Sequence, residues 1–196
     1  VFITEGDEYD TAFFDKRSKF FHYQPQQLLL NNLEFDHADI FASFDDIKRA
    51  FRGLLGLVPS NGRIAANGDD PALAEVLQKA HSPIMRFGLG PENDLQGTKL
   101  RVADEGMRFT VKSPSGGVPD REFRLPMLGE HNVRNALGVL TLAQHNGIPD
   151  HAVQSAFNRF RGIKRRQELR GTVRGISVYD DFAHHPTAVR ETLAAL

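Results

Sequence analysis

Leu28-Leu29-Leu30-Asn31-Asn32 is the stretch from which the fold is read. An apolar run without alternation, closed by two amides, is the pattern of a strand buried on both faces of a parallel sheet. It hands the chain to Leu33-Glu34-Phe35-Asp36-His37-Ala38-Asp39, a polar cluster at a strand end. Open α/β sheets place their ligands at the carboxyl ends of strands. Residues 45–57 then repeat apolar side chains at three- and four-residue spacing (Ile47, Ala50, Phe51, Leu54, Leu55), with Asp45 as the expected cap. Residues 63–67 read as a second strand. Strand, helix, strand makes the fold α/β, with a mostly parallel sheet flanked by helices.

The same alternation extends both ways. Downstream, Asp70-Pro71 opens a helix through residue 79, with proline in its first turn, and residues 82–88 read as a strand. Upstream, residues 1–4 read as a buried strand that delivers Glu5-Gly6-Asp7-Glu8-Tyr9-Asp10. So dense a set of carboxylates suits a hard cation such as Mg²⁺, which takes oxygen ligands and keeps several waters. Taken by itself, the cluster reads more readily as a solvated acidic loop. Residues 11–27 mix Phe13, Phe14, Phe20, Phe21 and Tyr23 with Lys16, Arg17, Lys19 and His22. They make either an anion-binding surface or a helix and loop that pack aromatics under snorkelling lysines.

The second half changes character. Residues 98–103, 107–112 and 121–125 are short strands joined by glycine- and proline-rich turns, which predicts a small antiparallel sheet over about 98–126. Helices follow over 129–146 and 149–160. The first carries His131, Asn132 and Asn135 near its N-terminus, where amide side chains either read a purine edge or cap the helix. Arg165-Arg166 offers planar donor forks for phosphate oxygens. Two strands over 167–180 then run into Asp180-Asp181-Phe182-Ala183-His184-His185-Pro186, where Pro186 opens a helical pattern. These carboxylates and imidazoles either order a nucleotide or form ordinary turn chemistry before a proline.

Composition bounds the rest. The chain has 196 residues, 40% hydrophobic and 25% charged, enough for a buried core. A formal net charge of -1 gives no footprint for nucleic acid or for an anionic membrane surface. The absence of cysteine excludes disulfides and thiolate metal sites and is compatible with a reducing compartment. No apolar run is long enough for a membrane span. No Gly-x-x-x-x-Gly-Lys-Ser/Thr phosphate loop occurs.

Five clusters now stand in order: Glu5–Asp10, Asn32–His37, Gly129–Ala136, Arg165–Glu168 and Asp180–Pro186. Together they resemble the Mur ligase family. The resemblance covers nearly the whole chain and implies the ATP-binding central domain of a three-domain protein over residues 1–180. Residues 181–196 would be the hinge and start of the C-terminal domain, with the phosphate loop upstream. Within the family the pattern is that of the UDP-N-acetylmuramate branch. It implies a cytoplasmic, ATP- and Mg²⁺-dependent ligase that joins UDP-N-acetylmuramate to the tripeptide L-alanyl-γ-D-glutamyl-meso-diaminopimelate through an acyl phosphate. L-Alanine is the alternative amine, and a non-catalytic nucleotide-binding domain or a folate-polyglutamate ligase are the other readings. By the resemblance, Glu5 and His37 ligate Mg²⁺, while His131, Asn132 and Asn135 hold adenine. Arg166 with Arg165 meets phosphate, and Asp181 and His184 meet the nucleotide; His37, Arg166 and His184 are the residues expected to act in catalysis. The fragment by itself is expected to be inactive. Several family members carry a carbamylated lysine where this chain has Arg52; Lys48 is the nearest lysine, and that role is not carried over.

Overall fold

The computed structural model describes residues 2–35, 40–103, 106–114 and 118–196. They divide into two compact units, Val1–Asp94 and Leu95–Leu196.

The first unit opens with Phe2, Ile3 and Thr4 exposed and in no strand, against the expectation for residues 1–4. Apolar residues make a strand only where a partner supplies hydrogen bonds, and among the described residues none does. Residues 11–27 also differ from a helix and loop. They hold a short hairpin of β1 (Asp10–Ala12) and β2 (Asp15–Ser18), followed by a 3₁₀ turn over Lys19–His22. That turn buries Phe20 and sets its ring against Phe21 and Phe51, with centroids 5.0 and 5.8 Å away.

β3 (Gln27–Leu30) is the parallel strand expected from the leucine run. α1 (Phe44–Leu57) follows, with Ser43 in extended backbone accepting from the Asp46 amide at 3.3 Å. The cap is therefore Ser43. Asp45 and Asp46 sit in the first turn, where carboxylates favour the helix dipole. β4 (Arg63–Asn67), α2 (Pro71–Leu77) and β5 (Ile84–Gly88) complete the unit. β3 pairs with β4 and β4 with β5, both parallel, with Leu28 opposite Ile64 and Ile64 opposite Ile84. Ile47, Leu54 and Leu55 on α1 and Leu73, Val76 and Leu77 on α2 close the core over this sheet.

Two polar devices fix the strand ends. Asp70 caps α2 by accepting from Ala72 and Leu73, and its other oxygen accepts from the Leu33 amide at 2.9 Å. One carboxylate thus holds both a helix start and the segment that leaves β3. Asp69 accepts from Leu89, Gly90 and the Asn93 amide, tying down the turn after β5. On the outer face, Glu75 of α2 takes Lys48 at 2.6 Å and Arg52 at 2.8 Å from α1. Lys48, with Arg52, therefore joins two helices.

The second unit begins with the antiparallel sheet: β6 (Leu95–Ala103), β7 (Gly106–Ser113) and β8 (Val118–Leu125). β6 pairs with β7 and β7 with β8. α3 (Glu130–His145) packs on β6 and β7, and α4 (Asp150–Arg159) packs on β8. Gln154 of α4 accepts from the Arg124 amide and donates to its carbonyl, both at 2.9 Å, so helix and strand are fixed in one register.

The two strands expected over 167–180 are β9 (Glu168–Val173) and β10 (Ile176–Asp180), which pair antiparallel as a two-stranded sheet. Arg174 and Gly175 between them both take positive φ, +51° and +79°, which is the two-residue primed turn that right-twisted strands prefer. The glycine reads easily as a turn, but pairing partners do not show in an apolar run. α5 (Pro186–Ala195) ends the chain. No helix among the described residues is long and apolar enough to cross a membrane.

Candidate nucleotide and metal sites

In the second unit, Asp181 is the organising residue. One carboxylate oxygen accepts from the Gln167 amide at 2.7 Å and the other from the Ala183 amide at 2.7 Å. The Phe182 amide donates to the Arg165 carbonyl at 2.7 Å. The Arg165–Gln167 turn and the segment after β10 are thereby locked together. Arg165 and Gln167 both take left-handed backbone, at φ +59° and +48°, a strained choice for side chains of this size. The clamp pins that backbone. The two arginines part company here: Arg165 lies over the Phe182 ring at 5.0 Å and 3.9 Å from Asp180, while the Arg166 guanidinium is exposed and makes no ion pair among the described residues.

His131 is half-buried at the start of α3. Its Nδ1 is buried and has no hydrogen-bond partner among the described residues. Burial pushes the imidazole below its ordinary value, Glu191 and Asp181 pull it up, and Arg134 and Arg166 push it down. Arg166 and Asp181 are thus both close enough to act on His131. Asn132 is buried and its amide donates to the Leu128 carbonyl at 2.7 Å, which is capping chemistry; its oxygen faces the exposed Asn135 amide at 3.5 Å. Before them stands Gly129 at φ +93°, where a Cβ would sit 2.7 Å from both the His131 ring and the Ala195 methyl. A cleft of about 260 Å³ opens here between Gly129, Glu130, Glu191, Ala194 and Ala195. His184 has its Nδ1 3.0 Å from the Phe182 carbonyl and its ring edge-on to Phe182. Glu191 was invisible in the sequence: a lone glutamate in a helix carries no signal until the fold turns it toward a histidine.

The half-buried imidazole sets a pH dependence. The unfolded chain takes up a proton near pH 6.5, whereas the folded His131 resists it until lower pH. Its contribution to stability is complete above that value and is lost as pH falls through the lower, folded one. His131→Gln should therefore flatten the fall in melting temperature between about pH 7 and pH 5. Identical pH slopes for parent and variant would refute this.

In the first unit the acidic segment is sorted by ion pairs. Asp7 pairs with Lys19 and Asp10 with Lys16, each at 2.7 Å, and the Tyr9 amide donates to Asp7 at 2.8 Å. Glu5 is exposed and makes no ion pair among the described residues. His37 lies outside the described residues, with its neighbours 36, 38 and 39. Among the described residues, no group of three His, Asp or Glu side chains gathers as metal ligands would. The available Glu5 carboxylate suits a cation that keeps most of its waters, so the donors fit Mg²⁺ in part.

A family model described as the Mur ligase middle domain matches residues 1–143. The chain belongs to the Mur ligase family. It is 42% identical over 195 residues to the UDP-N-acetylmuramate–L-alanyl-γ-D-glutamyl-meso-2,6-diaminoheptandioate ligase of Escherichia coli K12, covering 100% of this chain and 42% of that protein. It is 38% identical over 192 residues to the UDP-N-acetylmuramate–L-alanine ligase of Desulfitobacterium hafniense Y51, covering 98% and 40%. A crystal structure of a murein peptide ligase from Psychrobacter arcticus 273-4 superposes with TM-score 0.73 at 40% identity, over 97% of this chain and 38% of that one. The chain thus spans about two fifths of the length of these relatives. As a Mur ligase domain it has the α/β architecture expected from its sequence.

Proposed function

We propose that the full-length protein is a cytoplasmic, ATP-dependent amide-forming ligase that joins UDP-N-acetylmuramate to L-alanyl-γ-D-glutamyl-meso-diaminopimelate. The observation that carries this reading is 42% identity, along the whole chain, to the Escherichia coli enzyme of that name. ATP transfers its γ-phosphoryl group to the muramate carboxylate, giving an acyl phosphate and ADP. The amine of the peptide then attacks the acyl carbon, and the tetrahedral adduct collapses to the amide, releasing phosphate.

In this chain His131, Asn132 and Asn135 bind the adenine, and the orphaned Nδ1 of His131 is the atom that best supports it. Arg166 faces the phosphates, because positive charge there offsets charge in flight. Asp181 acts as a positioning residue through its grip on Gln167, and His184 borders the nucleotide. Glu5 and His37 hold Mg²⁺, which supplies charge neutralisation at the phosphoryl group.

A ligation assay tests the reading. UDP-N-acetylmuramate, Mg²⁺-ATP and either the tripeptide or L-alanine are supplied to the full-length protein. Product with the tripeptide alone is expected. Product with L-alanine alone reassigns the amine and favours the second reading, which rests on the 38% identity to an L-alanine ligase. No product with either amine rules out ligation.

A further inference from the structure

The tip of the β1–β2 hairpin breaks the local rules of turns. Its two loop residues, between the paired Ala12 and Asp15, are Phe13 and Phe14. Two-residue hairpin loops favour Asn-Gly or a leading glycine, because primed turns need left-handed backbone. Neither phenylalanine takes it, and the register is irregular beside them. Both rings are nevertheless held out, 93% and 90% exposed. Places where a sequence chooses against its own local structure are expected at functional sites.

The surroundings are layered. Lys16 and Arg17 are 69% and 66% exposed, while their partners Asp10 and Asp15 are 30% and 18% exposed. Carboxylates lie beneath and cations outside. Lys16 also stands 5.9 Å from the Phe13 ring centre. Arg17 grips Asp15 through two nitrogens at 3.0 and 2.9 Å, and His22 reaches the same carboxylate at 3.1 Å, so the hairpin is stiffened from below. Its root is tied to the acidic segment by the Lys19–Asp7 pair and by the Phe20 amide on the Asp7 carbonyl.

Size decides the kind of occupant. A phenyl side chain contributes about 150–250 Å² of contact, so two offer roughly 300–500 Å². A stable protein interface needs about 800 Å² from each partner. The tip is too small for a second copy of the chain and suits a short ligand with apolar stems and anionic groups. We propose that Phe13, Phe14 and Lys16 form a specificity-determining contact for the anionic peptide that the ligase joins to its sugar nucleotide. This rests on the ligase reading above: the tripeptide carries carboxylates and methylene chains, and L-alanine has neither the length nor the spare charge to reach such a tip.

The test uses the full-length protein and two variants, Phe13→Ser/Phe14→Ser and Lys16→Gln. Steady-state kinetics gives KM for each substrate, and calorimetric titration of the tripeptide reports binding without turnover. The double variant should raise the tripeptide KM at least tenfold and the Lys16 variant severalfold. KM for ATP and for UDP-N-acetylmuramate should stay within twofold, and the calorimetric affinity should fall in step. Unchanged peptide KM and affinity in a parent that ligates would overturn the contact and leave the ligase standing. So would a rise in the sugar-nucleotide KM in place of the peptide's. A parent that binds tripeptide without ligating it, with binding lost in the variants, would keep the contact and discard the ligase reading. A parent that neither binds nor ligates it would end both.

Discussion

Arg166→Ala in the full-length protein should lower kcat for ligation by about a hundred- to a thousandfold, the scale of removing one preorganised donor from a developing anion. The adjacent arginine should behave differently. Arg165 is committed to the Phe182 ring and to Asp180, and its backbone carbonyl accepts from Phe182. Its replacement by alanine loosens the turn and should cost less than about tenfold in kcat, because the charge lost is one already directed at protein groups. Arg166 has no such commitment among the described residues, yet it is near enough to His131 to act on its protonation. A cation within electrostatic reach of His131, with no ion pair among the described residues, is placed for an anionic ligand. Both variants are measured at saturating ATP, so that a loss of nucleotide affinity is separated from a loss of rate. Equal effects at the two positions, or an Arg166 variant within threefold of the parent, would remove the phosphate role.

That division of labour marks how far the sequence could be read. The parallel strands, the helices between them and the antiparallel sheet follow from period and turn chemistry, which are local. Leu28–Leu30 is a buried strand because three leucines without alternation have no solvent face to offer. The cap of α1 was misplaced by two residues: Asp45 and Ser43 both have a capping oxygen, and only backbone geometry separates them. Residues 2–4 lie in no strand, because a strand is a property of a pair. Both strands over 167–180 are legible, but their pairing with each other is not, since nothing in Ile176-Ser177-Val178 names Val173 across a primed turn.

In the candidate sites the legible part was composition, and the illegible part was commitment. Four carboxylates between Glu5 and Asp10 look alike in sequence. The fold gives Asp7 to Lys19 and Asp10 to Lys16, partners twelve and six residues away. Asp181 reads as a ligand and is found holding two backbone amides. Such pairings depend on where a hairpin turns, which is decided by the packing of Phe20 as much as by the charges themselves.

The largest loss of stability should come from the second unit's aromatic core. Phe123 on β8 is 2% exposed, its ring 6.1 Å from Phe109 on β7 and 6.4 Å from Phe157 on α4. It packs against both the sheet and α4, and the Gln154–Arg124 backbone bonds hold that helix on β8, which limits how far the site can collapse. Phe123→Ala should cost about 3–5 kcal/mol, part of it from the two lost ring contacts. Against a total of about 5–15 kcal/mol for a domain, that is a large share. At roughly 4 °C or more per kcal/mol for a unit of this size, the melting temperature should fall by more than roughly 12 °C. Phe123→Leu keeps most of the volume and should recover at least half of the loss, because a cavity and not a lost polar group is the cause. Phe13→Ser/Phe14→Ser, with both rings in solvent, should move the same melt by no more than about 2–4 °C, the effect of roughly 0.5 kcal/mol at exposed positions. Thermal unfolding followed by circular dichroism separates the two cases. A Phe123→Ala melt that matches the hairpin variant's would mean that sheet and helix do not share the core drawn from their contacts.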